Sequence, residues 1–313
     1  MKVLLQAGGW SSERAVSLSG AEGVRAALEN LGHTVEAYDP AVSLGSLAEV
    51  VADKDFVFVM LHGSPGEDGI IQAVLDRLDR PYQGSGPAAS MLALNKAFAK
   101  ILFASAGLTT APWQLLYRRS GAESLPLPAY PLFIKADTGG SSLHMERVER
   151  HDDLPAALDR LFSAGGSYLA ESAVDGLEVT CGVLGELAAG EEVPRALPPI
   201  LIRPFAGKIF DYAGKYSSGG AEEICPAPIS ARLTERIQDM ALAAHRVLGL
   251  SGYSRADFIV PADECPVLLE VNSLPGMTRT SLLPQAAAAC GLSFDRLVER
   301  LVELGLARKR RTG

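Results

Sequence analysis

Short dense apolar runs alternate with helix-period stretches at the start of the chain. Residues 2–7 are such a run and read as a strand. Gly8-Gly9-Trp10-Ser11-Ser12-Glu13 then turns into a helix that reaches about Leu31 and stops at Gly32. A second strand over 33–38, a helix near 44–52 and a third strand over 56–61 follow. Strands alternating with helices in this way predict a βαβαβ unit and an open parallel sheet. Gly8-Gly9 is not Gly-x-Gly-x-x-Gly, so the turn carries no dinucleotide fingerprint. Ligands of such sheets bind beyond the carboxyl ends of the strands, where Glu13 and His62 fall. Glu13 also suits the N-cap region of a helix, and His62 suits a turn-stabilising ring. The residues alone leave both readings open.

Further along, the glycine-rich turn 63–69 opens a helix at about Ile70, and Tyr82-Gln83-Gly84-Ser85-Gly86-Pro87 marks a domain boundary. One helix is predicted over 88–106, carrying Lys96 and stopped by Gly107. Pro131-Leu132-Phe133-Ile134-Lys135 is a strand ending in lysine, Gly139-Gly140-Ser141-Ser142 a small-residue loop, and 145–148 the return strand. No Gly-Lys-Ser/Thr opens a helix behind that loop, so it is not a P-loop. Its backbone amides can approach phosphates, although a plain β-hairpin has the same pattern. Strands follow at 168–171 and from 176, the latter with Glu178 at its edge. The stretch 207–221 is rich in Gly, Ser and aromatics, and long irregular stretches of this kind are functional or disordered. Ser230 caps a helix to Leu248 whose buried face holds Leu233, Ile237, Met240, Ala244 and Val247.

Two short apolar strands, 257–260 and 267–271, flank the loop Pro261-Ala262-Asp263-Glu264 and read as a hairpin. Glu270 and Asn272 lie two apart and share a face, and hairpin pairing sets Asp257 opposite them. Two carboxylates and an amide oxygen make a hard-oxygen set suited to Mg²⁺. A solvated outer face is the alternative. Acids that interrupt apolar strands just before the abrupt Asn-Ser-Leu-Pro-Gly turn point instead to magnesium and a nucleotide.

Composition narrows the class. The 313 residues, 48% of them apolar, suit two or three domains with ample core. A net charge of −8 excludes a general nucleic-acid coat but not a local cationic pocket. The four cysteines contain no Cys-x-x-Cys pair, so neither a zinc site nor a disulfide framework is indicated. No apolar run approaches the ~20 residues that span a bilayer. The N-terminus enters a strand without a signal-peptide pattern, so a soluble cytoplasmic protein is expected. The last helix carries Phe294, Leu297, Leu301 and Leu304 on one face. Its basic tail Ala307-Arg308-Lys309-Arg310-Arg311 complements the helix dipole and is expected to be solvated.

In order, these motifs resemble the D-alanine–D-alanine ligase family of the ATP-grasp superfamily over essentially the whole chain. The anchors are Gly8-Gly9 with 12–18, Leu61-His62-Gly63 with Gly66-Glu67-Asp68-Gly69, and 81–86. Lys215-Tyr216, Arg255-Ala256-Asp257 and 270–278 complete the set. The resemblance implies a mixed α/β ATP-grasp fold of three domains: an N-terminal open parallel-sheet domain over 1–90, a central ATP-grasp subdomain over 91–172, and a C-terminal metal-binding domain over 173–313. It implies ATP and two Mg (or Mn) ions, with ATP between the last two domains. The activity it implies is the joining of two D-alanines through an acyl phosphate for peptidoglycan precursors. It matches Lys96, Lys135 and Lys215 to phosphate contacts, Glu171 and Val174 to the adenine strand, Glu178 to the ribose, and Asp257, Glu270 and Asn272 to the metals. Glu13 matches the ligand of the first substrate's ammonium, and His62 falls among the substrate-binding residues. Arg255 and the Gly276 amide match the oxyanion donors, and Ser281 with Leu282 the holder of the second substrate's carboxylate. Ser141, Tyr216 and Glu13 match a hydrogen-bonded trio, 207–221 the loop that closes over the site, and a homodimer is a family expectation.

The chain departs from the family at three points. The small-residue loop usually reads Gly-Ser-Ser-Val-Gly, but Leu143-His144 follow Ser141-Ser142 here, and histidine removes the freedom of a glycine. Asn95 precedes Lys96 where the family often has aspartate, and Ser172 stands where many members have lysine. Tyr216 in place of phenylalanine is similar to the dipeptide-forming type. The alternatives are an ATP-grasp carboxylate–amine ligase for other amino or hydroxy acids, and a non-catalytic nucleotide-binding module.

Overall fold

The structure, a computed structural model, describes residues 1–119, 121, 125–139, 145–204 and 221–312. Its first unit is the predicted parallel sheet. Strands β1 (Lys2–Gln6), β2 (Thr34–Tyr38) and β3 (Phe56–Val59) pair in the order β2-β1-β3. Helix α1 (Arg14–Asn30) makes the first crossover. The expected helix near 44–52 is instead two short helices, α2 (Pro40–Ser43) and α3 (Leu47–Val50), separated by a tight helical turn around Gly45. Glycine is the weakest non-proline helix former, which suits a break there. Helix α4 (Ile70–Arg77) begins where the glycine-rich turn ends.

The single helix predicted over 88–106 is two helices, α5 (Pro87–Leu94) and α6 (Lys96–Ser105). They break at Asn95, whose backbone is extended at ψ 104° and whose side chain caps α6 by accepting from the Phe98 N–H at 2.9 Å. Asparagine favours such N-cap positions, so a local cap overrides a continuous apolar pattern. Lys96 is therefore the first helical residue of α6.

A four-stranded antiparallel sheet follows, made of β4 (Trp113–Leu116), β5 (Leu132–Ala136), β6 (Met145–Val148) and β7 (Tyr168–Ser172) in the order β4-β7-β5-β6. Helix α7 (Leu154–Phe162) covers one face and forms with the sheet a core of its own, including Leu132, Ile134, Leu158 and Tyr168. The third sheet is built on the twelve-residue β8 (Leu177–Ala188). Along one flank β8 pairs β10 (Ile200–Pro204) and then β9 (Glu191–Ala196). Along the other it pairs β12 (Tyr253–Val260), which pairs β13 (Val267–Asn272) as the predicted hairpin. Strand β11 (Ala221–Ile224) lies beyond β10. Helix α8 (Ala231–Val247) packs behind this sheet, capped as predicted by Ser230 and burying Leu233, Ile237, Met240 and Ala244.

The chain then returns to its start. Helices α9 (Leu282–Ala289) and α10 (Phe294–Thr312) pack on the N-terminal sheet. Leu297, Leu301 and Leu304 are buried in the same core as Val3, Leu5, Phe56 and Phe58. Each such leucine contributes about 1.5–3 kcal/mol of burial, so the first and last segments stabilise each other strongly. The basic tail is not simply solvated. The Arg308 guanidinium lies 4.1 Å from the centre of the buried Tyr82 ring, and Lys309 pairs with Asp79. A cation over an aromatic face is a favourable contact that dipole arguments about a helix end do not anticipate. The turn 82–87 is similarly locked, because Ser85 Oγ accepts from the Ser251 N–H at 3.1 Å and Ser251 Oγ donates to Gly84 O at 3.2 Å.

Gly305 on α10 tests this packing. A Cβ there would overlap the Tyr82 carbonyl oxygen and meet Phe56 Cε2 at 2.8 Å. Alanine gains about 1 kcal/mol of helix propensity over glycine, while overpacking costs about 1–3 kcal/mol. The overlap is with backbone, which does not yield, so Gly305→Ala is expected to lower the melting temperature by a few degrees in a thermal scan.

Candidate active site

The β12–β13 register builds the acidic cluster. Asp257 lies opposite Glu270, and Arg255 opposite Asn272, with an irregularity just after Asp257. Arg255 and Asp257 are two apart on one strand, and the guanidinium grips the carboxylate with two bonds, from Nε at 2.9 Å and Nη2 at 2.8 Å. On the other side β8 sets Thr180 opposite Asp257, and its hydroxyl donates to Oδ1 at 2.6 Å. The hydrogen-bond network orients the Asn272 amide so that its nitrogen donates to Glu67 Oε1 at 2.9 Å and its oxygen accepts from Arg255 Nη2 at 3.2 Å. Asp257, Glu270 and Asn272 thus share one end of the hairpin, as the strand alternation predicts. No group of three or more His, Cys, Asp and Glu side chains suited to a metal occurs among the described residues.

The N-terminal sheet supplies the opposite wall. Glu13 directly precedes α1 yet makes no side-chain cap bond to it, so the simple capping role does not hold. Its side chain is buried, as is His62 just beyond β3. Among the described residues the buried His62 Nε2 has no hydrogen-bond partner, which a turn-stabilising ring would have. Burial holds this imidazole below its usual pKa. Glu13 opposes that shift and Arg255 reinforces it, so both charges are close. Glu67 accepts from the Gly63 N–H at 2.7 Å and is pushed up to about 8, first by burial and then by the negative charge of Glu13.

Helix α6 and the central sheet bring the cations. Lys96 Nζ donates to Gly139 O at 2.6 Å and stands 3.8 Å from Glu270 Oε2. Lys135, at the end of β5, pairs with Glu171 Oε2 at 2.8 Å across to β7, and Lys100 pairs with Glu171 Oε1. Burial works against the Glu171 charge, but Lys135 and Lys100 outweigh it and hold the carboxyl below the ordinary range. Burial works against the Lys135 charge, but Glu171, then Glu270 and Asp257, outweigh it and raise its pKa, so the hairpin's charges are felt at the central sheet. Val174 is half-buried just after β7, and Glu178 is half-buried near the start of β8, between Ile202 and Ile259 in register.

Beyond β13 the turn reaches Gly276, where a Cβ would come within 3.0 Å of Ser281 Oγ. That hydroxyl accepts from the Thr278 N–H at 3.1 Å and lies 2.7 Å from Thr278 Oγ1, with Leu282 opening α9 behind it. Ser141, Lys215 and Tyr216 lie outside the described residues, as do His144 and 207–220. Sequence reasoning assigned no role to Thr180, Glu67, Lys100 or Asp137. Helix spacing carried a signal for Lys100, one turn past Lys96, and strand alternation carried one for Thr180, two past Glu178.

Three sheets with a charged cluster between the central and C-terminal ones define an ATP-grasp protein. The whole chain superposes on a D-alanine–D-alanine ligase of Bacillus anthracis complexed with ATP, with a TM-score of 0.84, 30% identity and 100% of each chain covered. It is 56% identical over 307 residues, 98% of this chain and 97% of the relative, to a D-alanine–D-alanine ligase of Oleidesulfovibrio alaskensis. It is 49% identical over 306 residues, 98% of each chain, to the ligase of Lawsonia intracellularis. The family profile described as the D-ala D-ala ligase C-terminus matches residues 102–303. The chain belongs to the D-alanine–D-alanine ligase family.

Two predictions follow from the buried charges. Lys100→Met leaves Glu171 balanced by Lys135, whereas Glu171→Gln leaves two buried ammonium groups together. Denaturant unfolding should show a loss of about 3–5 kcal/mol for Glu171→Gln and a clearly smaller one for Lys100→Met. Behind Arg255, the ring of His245 lies 2.8 Å from Ser254 Oγ and burial lowers its pKa to about 4. A histidine depressed in the fold stabilises above its unfolded value near 6.5 and loses that contribution as pH falls to about 4. His245→Gln should therefore flatten the stability profile between those limits, by at most about 3 kcal/mol.

Proposed function

We propose that the chain joins two D-alanines into D-alanyl-D-alanine, consuming ATP and releasing ADP and phosphate, for peptidoglycan precursor synthesis. The observation that carries this reading is the convergence of Glu13 and His62 from the N-terminal sheet with Arg255 and the Asp257–Glu270–Asn272 hairpin end, opposite Lys96 and Lys135. The units at 1–90, 91–172 and 173–313 each supply one of these walls.

In the first step the carboxylate of one D-alanine attacks the γ-phosphorus of ATP, and the bond to the β-phosphate oxygen breaks, giving an acyl phosphate and ADP. Lys96, Lys135 and, outside the described residues, Lys215 hold the phosphates. Glu171 and Val174 line the adenine, and Glu178 holds the ribose. The two carboxylates and amide oxygen of Asp257, Glu270 and Asn272 are a hard-oxygen set that would hold magnesium or manganese ions. Bound there, the ions neutralise phosphate charge. Glu13 pairs with the ammonium of the first D-alanine, and neutral His62 offers a hydrogen bond from the same wall.

In the second step the amine of the other D-alanine attacks the acyl carbon, the bond from that carbon to the phosphate oxygen breaks, and phosphate departs with the amine proton. Arg255 and the Gly276 N–H stabilise the oxyanion, and Ser281 and Leu282 hold the second carboxylate. Asp257 keeps the Arg255 fork oriented, which is the kind of preorganisation that electrostatic stabilisation requires. Ser141 and Tyr216, outside the described residues, complete a trio with Glu13. No described helix is long and apolar enough to cross a membrane. The expected setting is the cytoplasm, with the chain as a homodimer.

Coupled ADP release with Mg-ATP and D-alanine tests the reading. Turnover with D-alanine, and none with L-alanine or D-lactate supplied alone, is the expected result. Faster release with another acid would move the chain to a different substrate. Arg255→Ala is expected to lower kcat/KM by about 10²–10³, the usual loss for an oxyanion donor.

A further inference from the structure

Lys96 stands at the start of α6, and the bonds that converge on Asp137 set where that start lies. Asp137 is 3% exposed and its backbone is tied on both sides. Its N–H donates to Ser167 O at 3.0 Å, and its carbonyl accepts from the Lys96 N–H at 3.0 Å. The side chain bridges the break between α5 and α6. Oδ1 accepts from the Ala97 N–H at 2.9 Å and Oδ2 from Asn95 Nδ2 at 3.0 Å. Asn95 uses its other end, Oδ1, to cap α6 at the Phe98 N–H. A lone antiparallel bridge between Asn95 and Thr138 runs beside these bonds. One amide here donates to a buried carboxylate and accepts from a helix end at once. An aspartate facing Asp137 lacks the donor, so the departure at 95 and the acid at 137 make a matched pair.

From this anchored start the Lys96 ammonium reaches both Gly139 O, at the entrance of the glycine-rich loop, and Glu270 on the hairpin. We propose that Asn95 and Asp137 form a positioning clamp that presents Lys96, steadied by the Gly139 carbonyl, to the nucleotide phosphates. The clamp rests on the ATP-dependent reading above. Neither residue touches the nucleotide; both act through Lys96. A plain helix cap would use the same bonds, but its loss would lower stability without a selective effect on nucleotide affinity.

The two side chains can be exchanged. In Asn95→Asp two carboxylates face each other, and in Asp137→Asn two amide NH₂ groups compete. In the double variant the carboxylate at 95 still caps the Phe98 N–H and accepts from the amide at 137, whose oxygen keeps the Ala97 N–H. All three side-chain bonds return, with only the one between residues 95 and 137 reversed in direction. Mg-ADP binding by titration calorimetry, KM for ATP, kcat and the melting temperature are to be measured for all four proteins. Each single variant is expected to raise the ADP Kd and the ATP KM about tenfold with kcat within about twofold, and the double variant to recover most of the loss. Single variants that melt earlier but bind ADP as before would reduce the pair to a structural cap and overturn the clamp. A double variant that recovers its melting temperature but not its affinity would overturn it as well. Absence of ADP binding by the unaltered chain would instead overturn the ATP-dependent reading, and the clamp's role with it.

Discussion

A carboxylate held away from water is tolerable only where cations and donors surround it or where it takes up a proton, and the site is organised by that constraint. Asp257 has the Arg255 fork and the Thr180 hydroxyl. Glu171 has two lysines, and they keep it charged despite its burial. Glu67 has backbone and amide donors but, among the described residues, no cation in contact, and its pKa climbs to about 8. The three acids are solved in three ways, and each solution ties together segments far apart in sequence. Thr180 joins β8 to β12, Lys100 joins α6 to β7, and Asn272 joins the last strand to the first domain.

The packing of the ends supports this arrangement. Helices α9 and α10 share a core with the N-terminal sheet, while the central sheet keeps a core of its own. At the junction the chain comes so close that a Cβ on Gly252 would stand 3.1 Å from Gly84 Cα. Gly252 also has φ +75°, a conformation that side chains disfavour. The walls bearing Glu13, His62, Arg255 and Asn272 are therefore fixed relative to one another. The charged link to the hairpin runs from Lys96 on α6, which stands 3.8 Å from Glu270, and from Lys135 on the central sheet, which feels the charges of Glu270 and Asp257. A site assembled from a rigid half and a separately cored half suits chemistry on an intermediate that water destroys, because closing such halves excludes solvent.

Local patterns account for most of the fold. Short apolar runs placed β1, β3, β12 and β13, and the Ser230 cap and 3.6-residue spacing placed α8, because these features are written in neighbours a few residues apart. The errors fall where a local competitor acts. Asn95 can cap as well as continue a helix, and Gly45 interrupts one. The basic tail misled for a different reason, since Arg308 finds the Tyr82 ring more than two hundred residues away.

By itself the sequence determined the hairpin that sets Asp257 against Glu270, the parallel first sheet and the motif order that marks the family. Each depends on the period of a strand or helix and on the residue types it carries. Only the tertiary structure decided that Lys100 and Lys135 share Glu171, that Glu67 meets Asn272 and that Asp137 anchors the start of α6. Those pairings depend on which faces of separate elements meet, and on how much water their contact removes. Neither quantity is carried by the spacing of residues along a chain.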